Sequence, residues 1–172
     1  MRVGYRIRQF REALNPRLSA EELKQAQDFL DPALMALFLG QQRSEQAHSL
    51  RLLSQLLEGG ETHSDLLVAA LLHDVGKSRH PLHLWERVLI VLGKKFAPNL
   101  SASWGRAEPH GWRRPFVIAA HHPQWGAEMA TEAGASPLTV ELIRRHQSLL
   151  PAQADSLKES LLHRLQSVDN QN

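Results

Sequence analysis

The apolar residues of this chain recur at helical intervals along its length, and this spacing constrains the fold more than any other feature. Leu52 and Leu56, like Leu138 and Leu142, lie four residues apart, whereas the alternation typical of half-buried strands is scarce. With 172 residues the chain can bury the core of one domain. We therefore predict a single all-α domain over residues 1–172.

Capping and turn-forming residues divide the pattern into segments. Ser19-Ala-Glu-Glu22 resembles a capping box and predicts a helix to residue 30, and Gly59-Gly60 ends a helix over 44–57. Gly, Pro, Asn and Ser concentrate in 93–111, which predicts an irregular loop that could serve as a lid. The other predicted helices cover 5–14, 32–39, 65–74, 82–92, 113–121, 123–132, 137–150 and 154–168.

Composition restricts the chemistry that the chain can support. It contains no cysteine, which excludes disulfides, thiolate metal sites and cysteine nucleophiles. Any bound metal therefore needs His, Asp, Glu or water as ligands, and such ligands suit Mn, Fe, Co, Ni, Zn or Mg.

Charge and hydropathy bear on partners and location. The net charge is only +2, and acidic residues are interspersed with basic ones. The N-terminal stretch lacks the apolar run of a secretion signal, and the apolar runs 69–72 and 88–92 are too short to span a bilayer. We expect a cytoplasmic protein with no membrane partner, and the small excess of positive charge does not by itself favour a nucleic-acid partner.

Several ligand-type residues lie where the helical pattern favours apolar side chains. His48, for example, shares a face with Leu52 and Leu56. A single histidine of this kind is more often a hydrogen-bonded core residue than a ligand, and a buried carboxylate is costly unless it is paired or bound to metal. A functional site therefore requires that several of these residues converge. The set consists of His48, His73, His122, His146 and Asp169.

The segment Leu71-Leu-His-Asp-Val-Gly-Lys77 resembles the signature of the HD superfamily of metal-dependent phosphohydrolases, in its HDxGK form. The family also has an upstream His on a separate helix and an Asp near the end of the last core helix. The resemblance implies an HD-domain helical bundle with a core over 44–170 and an N-terminal helical cap over 1–43. It also implies one divalent metal ion held by His48, His73, Asp74 and Asp169.

The resemblance implies catalytic roles as well. Asp74 would bind metal and orient the attacking water, and Lys77 would neutralise phosphate charge or assist the leaving group. The alternative for Lys77 is a solvated lysine that is favourable near a helix C-terminus. Arg87, within the basic segment 87–114, is a candidate for contact with a substrate phosphate. Trp85 and Trp112 are expected in the core.

The sequence does not decide whether a second metal ion binds. His122-Pro-Gln-Trp-Gly126 resembles the HPxxG element of two-metal HD enzymes, and His146 matches the first of their paired histidines. Gln147 stands where those enzymes have the second histidine, and the GYP motif of the cyclic-dinucleotide enzymes is missing. His122 and His146 are therefore predicted to hold either a second metal ion or part of the substrate.

Three functions follow from these patterns. The leading hypothesis is hydrolysis of a phosphomonoester or phosphodiester, in a nucleotide-type small molecule. Gln147 and the missing GYP motif favour an alternative, a non-catalytic sensor that binds a nucleotide or a metal in an HD fold. The basic segment 87–114 favours a third and weaker hypothesis, an RNA-binding protein.

Overall fold

The computed structural model describes residues 16–171, and within them it contains α-helices and no strand. The all-α prediction is therefore confirmed, while the helix predicted over 5–14 lies outside the described residues. None of the described helices combines the length and apolar character needed to cross a lipid bilayer. The helices are α1 (Ala20–Gln27), α2 (Pro32–Gly40), α3 (Arg43–Glu58), α4 (Ser64–Leu72), α5 (Leu84–Phe96), α6 (Pro98–Trp104), α7 (Arg114–Glu132), α8 (Pro137–Arg145) and α9 (Leu157–Asp169).

The core is organised around α4. Its sequence is apolar on every side, and its leucines and alanines, including Leu66, Leu71 and Leu72, are buried. A helix that is apolar all round is stable in water only when other elements surround it. Helices α3, α8 and α9 pack on α4, so the C-terminal end of α4 lies deep within the protein.

Several helix ends form as their sequences predict. Ser19 accepts a hydrogen bond from the Glu22 amide and Glu22 bonds back to the Ser19 amide, which completes the predicted capping box. Asp31 caps α2, which has a proline in its first turn. The N-cap of α4 is His63, so the helix begins one residue before the predicted range 65–74.

The loop predicted over 93–111 is wrong for most of its length. Helix α5 continues to Phe96, and α6 follows at once with Pro98 in its first turn. Gly93 does not break α5, because it permits a close approach to α7: a Cβ there would lie 2.5 Å from Cε1 of Phe116. A long irregular lid is therefore absent from the described part of this segment.

Helix α7 is continuous where the sequence predicted two helices, 113–121 and 123–132. Pro123 lies inside α7, although an interior proline removes a backbone hydrogen bond and costs about 3 kcal/mol. Both α8 and the 3-10 turn Val75–Arg79 pack against α7, and this packing compensates for the proline. Tertiary packing thus overrides the local stop signal.

Two tryptophans were expected in the core, and that prediction is wrong. Trp85 is 57% exposed and Trp112 is 54% exposed. Trp85 lies on α5 beside Glu86, and it is Glu86 that points inward and is buried. Trp112 instead stacks edge-on against Trp104 near the protein surface.

Candidate metal centre

His73 and Asp74 lie where α4 ends and the chain turns. His73 is the C-cap of α4, and Asp74 leads into the 3-10 turn Val75–Arg79. The side-chain amide of buried Gln41 donates to the Leu71 carbonyl at 3.1 Å, which satisfies one of the carbonyls left free at a helix end. His73 and Asp74 are thereby held in the interior, almost inaccessible to solvent.

A backbone contact between glycines joins this turn to α7. A Cβ on Gly76 would lie 2.0 Å from the His122 carbonyl oxygen and 2.6 Å from the Gly126 nitrogen. A Cβ on Gly126 would in turn lie 3.2 Å from the Gly76 nitrogen. The glycines of the HDxGK and HPxxG segments are therefore explained by one close approach, which brings His122 beside Asp74.

Three buried histidines share one hydrogen-bonding arrangement. In each ring Nδ1 lies within hydrogen-bond distance of a backbone carbonyl three or four residues earlier. Because a carbonyl only accepts, Nδ1 carries the hydrogen, and Nε2 of the neutral ring keeps a free lone pair. The pairs are His73 with Ala70 at 2.9 Å, His122 with Ile118 at 3.0 Å and His146 with Ile143 at 2.7 Å.

The structure brings the four ligands implied by the HD resemblance to one place. Ligand atoms of His48, His73 and Asp169 all lie within 4.8 Å of one another. Nε2 of His48 is 2.9 Å from Oδ1 of Asp169, and Nε2 of His73 is 3.7 Å from the same oxygen. Asp74 adjoins this group, with Oδ2 at 3.5 Å from Nε2 of His73.

A second group lies on the other side of Asp74. Ligand atoms of Asp74, His122 and His146 lie within 4.8 Å of one another, and all three residues are buried. Oδ1 of Asp74 is 3.1 Å from Nε2 of His122 and 3.8 Å from Nε2 of His146. The two oxygens of Asp74 thus face two different groups of histidines. Gln147 adjoins the second group, its Nε2 at 3.4 Å from Nε2 of His122.

The donor atoms fit a divalent cation. Nε2 of His73 and Nε2 of His146 are buried, and neither has a hydrogen-bond partner in the described part of the chain. Their separations from the Asp74 oxygens, 3.5 and 3.8 Å, are too long for hydrogen bonds. Ligands bound to one ion at about 2.1 Å are separated by roughly 3.0–3.4 Å, close to these values. The unsatisfied nitrogens and the adjacent carboxylate therefore suit metal binding.

The surroundings of the site favour the ionised forms of Asp74 and Asp169 and the neutral form of His146. Burial alone would raise the pKa of Asp74, but Lys77, 2.5 Å from Oδ2, together with His73 and His122, holds that pKa well below its usual range. Burial opposes ionisation of Asp169 too, yet the hydrogen bond from His48 lowers its pKa. Burial lowers the pKa of His146 to about 3.

The two cations predicted to contact phosphate are paired with acidic residues. Lys77 contacts Asp74 and also lies 3.5 Å from buried Glu45, while Arg87 lies 2.5 Å from the other oxygen of Glu45 and donates to Gln42 at 2.6 Å. Burial opposes the charge on Lys77, but Asp74 and Glu45 raise its pKa. Both side chains remain partly exposed to solvent, with exposed fractions of 22% for Lys77 and 29% for Arg87.

Sequence reasoning missed Glu45, and it included Lys94 only as one member of the basic segment 87–114. Glu45 precedes His48 by three residues on α3, and this shared face was a usable signal. The ammonium of Lys94 on α5 interacts electrostatically with Lys77, Asp74 and Asp169; desolvation, then Lys77, lowers its pKa. The proximity of Lys94 to the site could not be predicted from the sequence, because it depends on how α5 packs.

The model of the HD domain family matches residues 46–170, most of the chain, and this protein belongs to that family. HD domain proteins are generally metal-dependent phosphohydrolases that bind divalent metals. No curated protein and no solved structure matches the chain. The match includes both groups of histidines and both acidic ligands described above.

Proposed function

We propose that this protein is a metal-dependent phosphohydrolase that acts on a phosphomonoester or phosphodiester, with a nucleotide-type small molecule as substrate. The observation that carries the proposal is the pair of buried, unsatisfied nitrogens, Nε2 of His73 and Nε2 of His146, on either side of ionised Asp74. Leaving such groups without partners in a core is costly, so their arrangement favours a bound cation.

The geometry supports two groups of candidate ligands. His48, His73, Asp74 and Asp169 hold one divalent ion, whose identity lies among Mn, Fe, Co, Ni, Zn and Mg. His122 and His146, with the other oxygen of Asp74, hold a second ion or a phosphoryl oxygen of the substrate. A divalent cation supplies Lewis-acid activation of water and of the phosphoryl group.

The protein's own residues position the reactants. Ionised Asp74 accepts a hydrogen bond from the attacking water and orients it towards phosphorus. Water adds to phosphorus and loses a proton, the P–O ester bond breaks, and that proton is passed on to the departing oxygen. Lys77 stays protonated because its pKa is raised, and its partly exposed ammonium stabilises the charge that develops on that oxygen.

Cations around the site bind the remaining phosphate charge. Lys94 is suited to this role, because it interacts electrostatically with the site and makes no hydrogen bond or ion pair with the described residues. A substrate phosphate would supply an anion in direct contact with Lys94. Arg87 remains a candidate for the same role, although it already balances Glu45.

The proposal is tested with purified protein and added Mn²⁺, Co²⁺ or Ni²⁺. The substrates are nucleoside mono-, di- and triphosphates, cyclic nucleotides and p-nitrophenyl phosphate, and release of phosphate or nucleoside is measured. Substitutions His73→Ala and Asp74→Ala should abolish turnover. His163→Ala is the matched control, because His163 lies on α9 and, among the described residues, forms a hydrogen bond to the Pro151 carbonyl alone. Turnover that survives both site substitutions would refute the proposal.

One observation favours a second function. Gln147 lies 3.4 Å from His122 where two-metal HD enzymes have a histidine, and an amide is a poorer metal ligand than an imidazole. A protein with glutamine at this position could bind a nucleotide or a metal as a sensor, without turnover. Calorimetric binding of a nucleotide, with no product from any compound of the panel, would support this alternative.

A further inference from the structure

Helix α5 leaves an apolar face open to solvent. The exposed fractions on this face range from 37% for Leu84 to 74% for Phe96. At 100° per residue these side chains fall within an arc of about 140°, so they form one continuous face. We call this surface the α5 face, and it consists of Leu84, Trp85, Val88, Val91, Leu92 and Phe96.

Cations lie within and beside the α5 face, and the arc of α5 that forms the face contains no acidic residue. Lys95 lies inside the arc with its ammonium 5.6 Å from the centre of the Phe96 ring, and Arg87 and Lys94 lie on one flank. The sequence contains no Asp or Glu from residue 87 to residue 107. The one acidic residue of α5, Glu86, is buried on the opposite side and paired with Arg114.

This charge distribution decides between candidate occupants of the face. The first 14 residues contain four arginines and one glutamate, so they would bring further positive charge to a basic surface. A second copy of the chain would place the same cations opposite one another. Nucleic acid would neutralise the cations but would leave valine, leucine and phenylalanine in contact with water or phosphate. An anionic surface with an apolar interior complements both properties.

We propose that the α5 face binds the surface of a membrane that contains anionic lipids. Its tryptophan, phenylalanine and aliphatic side chains would lie at the boundary between head groups and acyl chains, with Lys95 against the lipid phosphates. The proposal does not depend on catalysis. It replaces the expectation of no membrane partner, which was drawn from the lack of a bilayer-length apolar run and therefore concerns spanning rather than surface contact.

The test is co-sedimentation of the full chain with large unilamellar vesicles. Vesicles of phosphatidylcholine alone are compared with vesicles that contain about 30% phosphatidylglycerol. The double variant Val91→Glu/Phe96→Glu removes apolar contact and adds negative charge. The control, Leu149→Glu/Leu157→Glu, makes the same changes at positions that are 100% and 61% exposed on another part of the surface. Circular dichroism melting verifies that both variants are folded.

Wild-type protein and the control should bind the anionic vesicles, and salt should weaken that binding. The variant of the α5 face should lose at least about tenfold in partition coefficient. No binding of wild-type protein to anionic vesicles, or an equal loss in the control, would overturn the proposal. So would a wild-type dimer that the α5 variant dissociates without any effect on lipid binding, because the face would then belong to a second copy.

Discussion

Replacing Gly76 with alanine should unfold the protein more readily and separate the two halves of its site. The added Cβ would lie 2.0 Å from the His122 carbonyl oxygen and 2.6 Å from the Gly126 nitrogen. Ordinary contacts at these atoms are about 3.2–3.4 Å, so the turn and α7 must move apart by more than about 1 Å. Because both obstacles are backbone, no side-chain rotation can relieve the clash. We expect a loss of about 3 kcal/mol or more.

The assay is urea denaturation of metal-free protein, with thermal melting in parallel. A loss of 3 kcal/mol corresponds to a fall of roughly 6–12 °C in Tm for a domain of this size. Gly40→Ala is the matched control, because a Cβ there meets nothing within 4 Å. It should be neutral or stabilise by up to about 1 kcal/mol. A Gly76→Ala protein within about 0.5 kcal/mol of the control would refute the reasoning about the glycine contact.

Three further predictions concern charge in and around the site. Burial lowers the pKa of His146 to about 3, so below pH 6.5 the unfolded chain binds a proton at this residue that the folded chain does not. In chelator-treated protein, His146 should therefore reduce the free energy of unfolding by about 1.4 kcal/mol per pH unit as pH falls from about 6 to about 4. Urea titrations of a His146→Gln variant should lack that contribution. Lys94→Ala should raise KM for a phosphorylated substrate about tenfold with little change in kcat, whereas Lys95→Ala should match wild type in the same steady-state assay. Glu45→Gln leaves two cations without their buried carboxylate and should cost about 3 kcal/mol in urea denaturation; a loss below about 1 kcal/mol would contradict the assigned ion pairs.

Local sequence signals predicted the elements whose ends are determined by local chemistry. Ser19 and Glu22 form the capping box that their spacing indicates. Pro123 and Gly93 are residue types that commonly end helices, yet both lie inside helices of this protein. Their environments are determined by contacts far along the chain, with α8 and the 3-10 turn for α7 and with Phe116 for Gly93. Contacts between residues far apart in the chain cannot be predicted from a short stretch of sequence.

The candidate ligands could be named from the sequence, but their convergence could not. His48 is on α3 and Asp169 is at the end of α9, 121 residues later, and periodicity shows only that each continues an apolar stripe. The family resemblance supplied the connection between them. Neither periodicity nor the family resemblance predicted the exposure of Trp85. The pattern of an amphipathic helix does not show whether another element covers its apolar face.

Titration of Mn²⁺ into chelator-treated protein, by calorimetry with parallel metal analysis, tests the central claim most directly. Asp74 offers one oxygen to each group of histidines, so Asp74→Ala should weaken Mn²⁺ binding at both by at least about tenfold. The control Asp155→Ala removes an exposed carboxylate and should bind as wild type does. Wild-type protein that binds no divalent ion, or a folded Asp74→Ala protein that binds Mn²⁺ as tightly as wild type, would contradict the account.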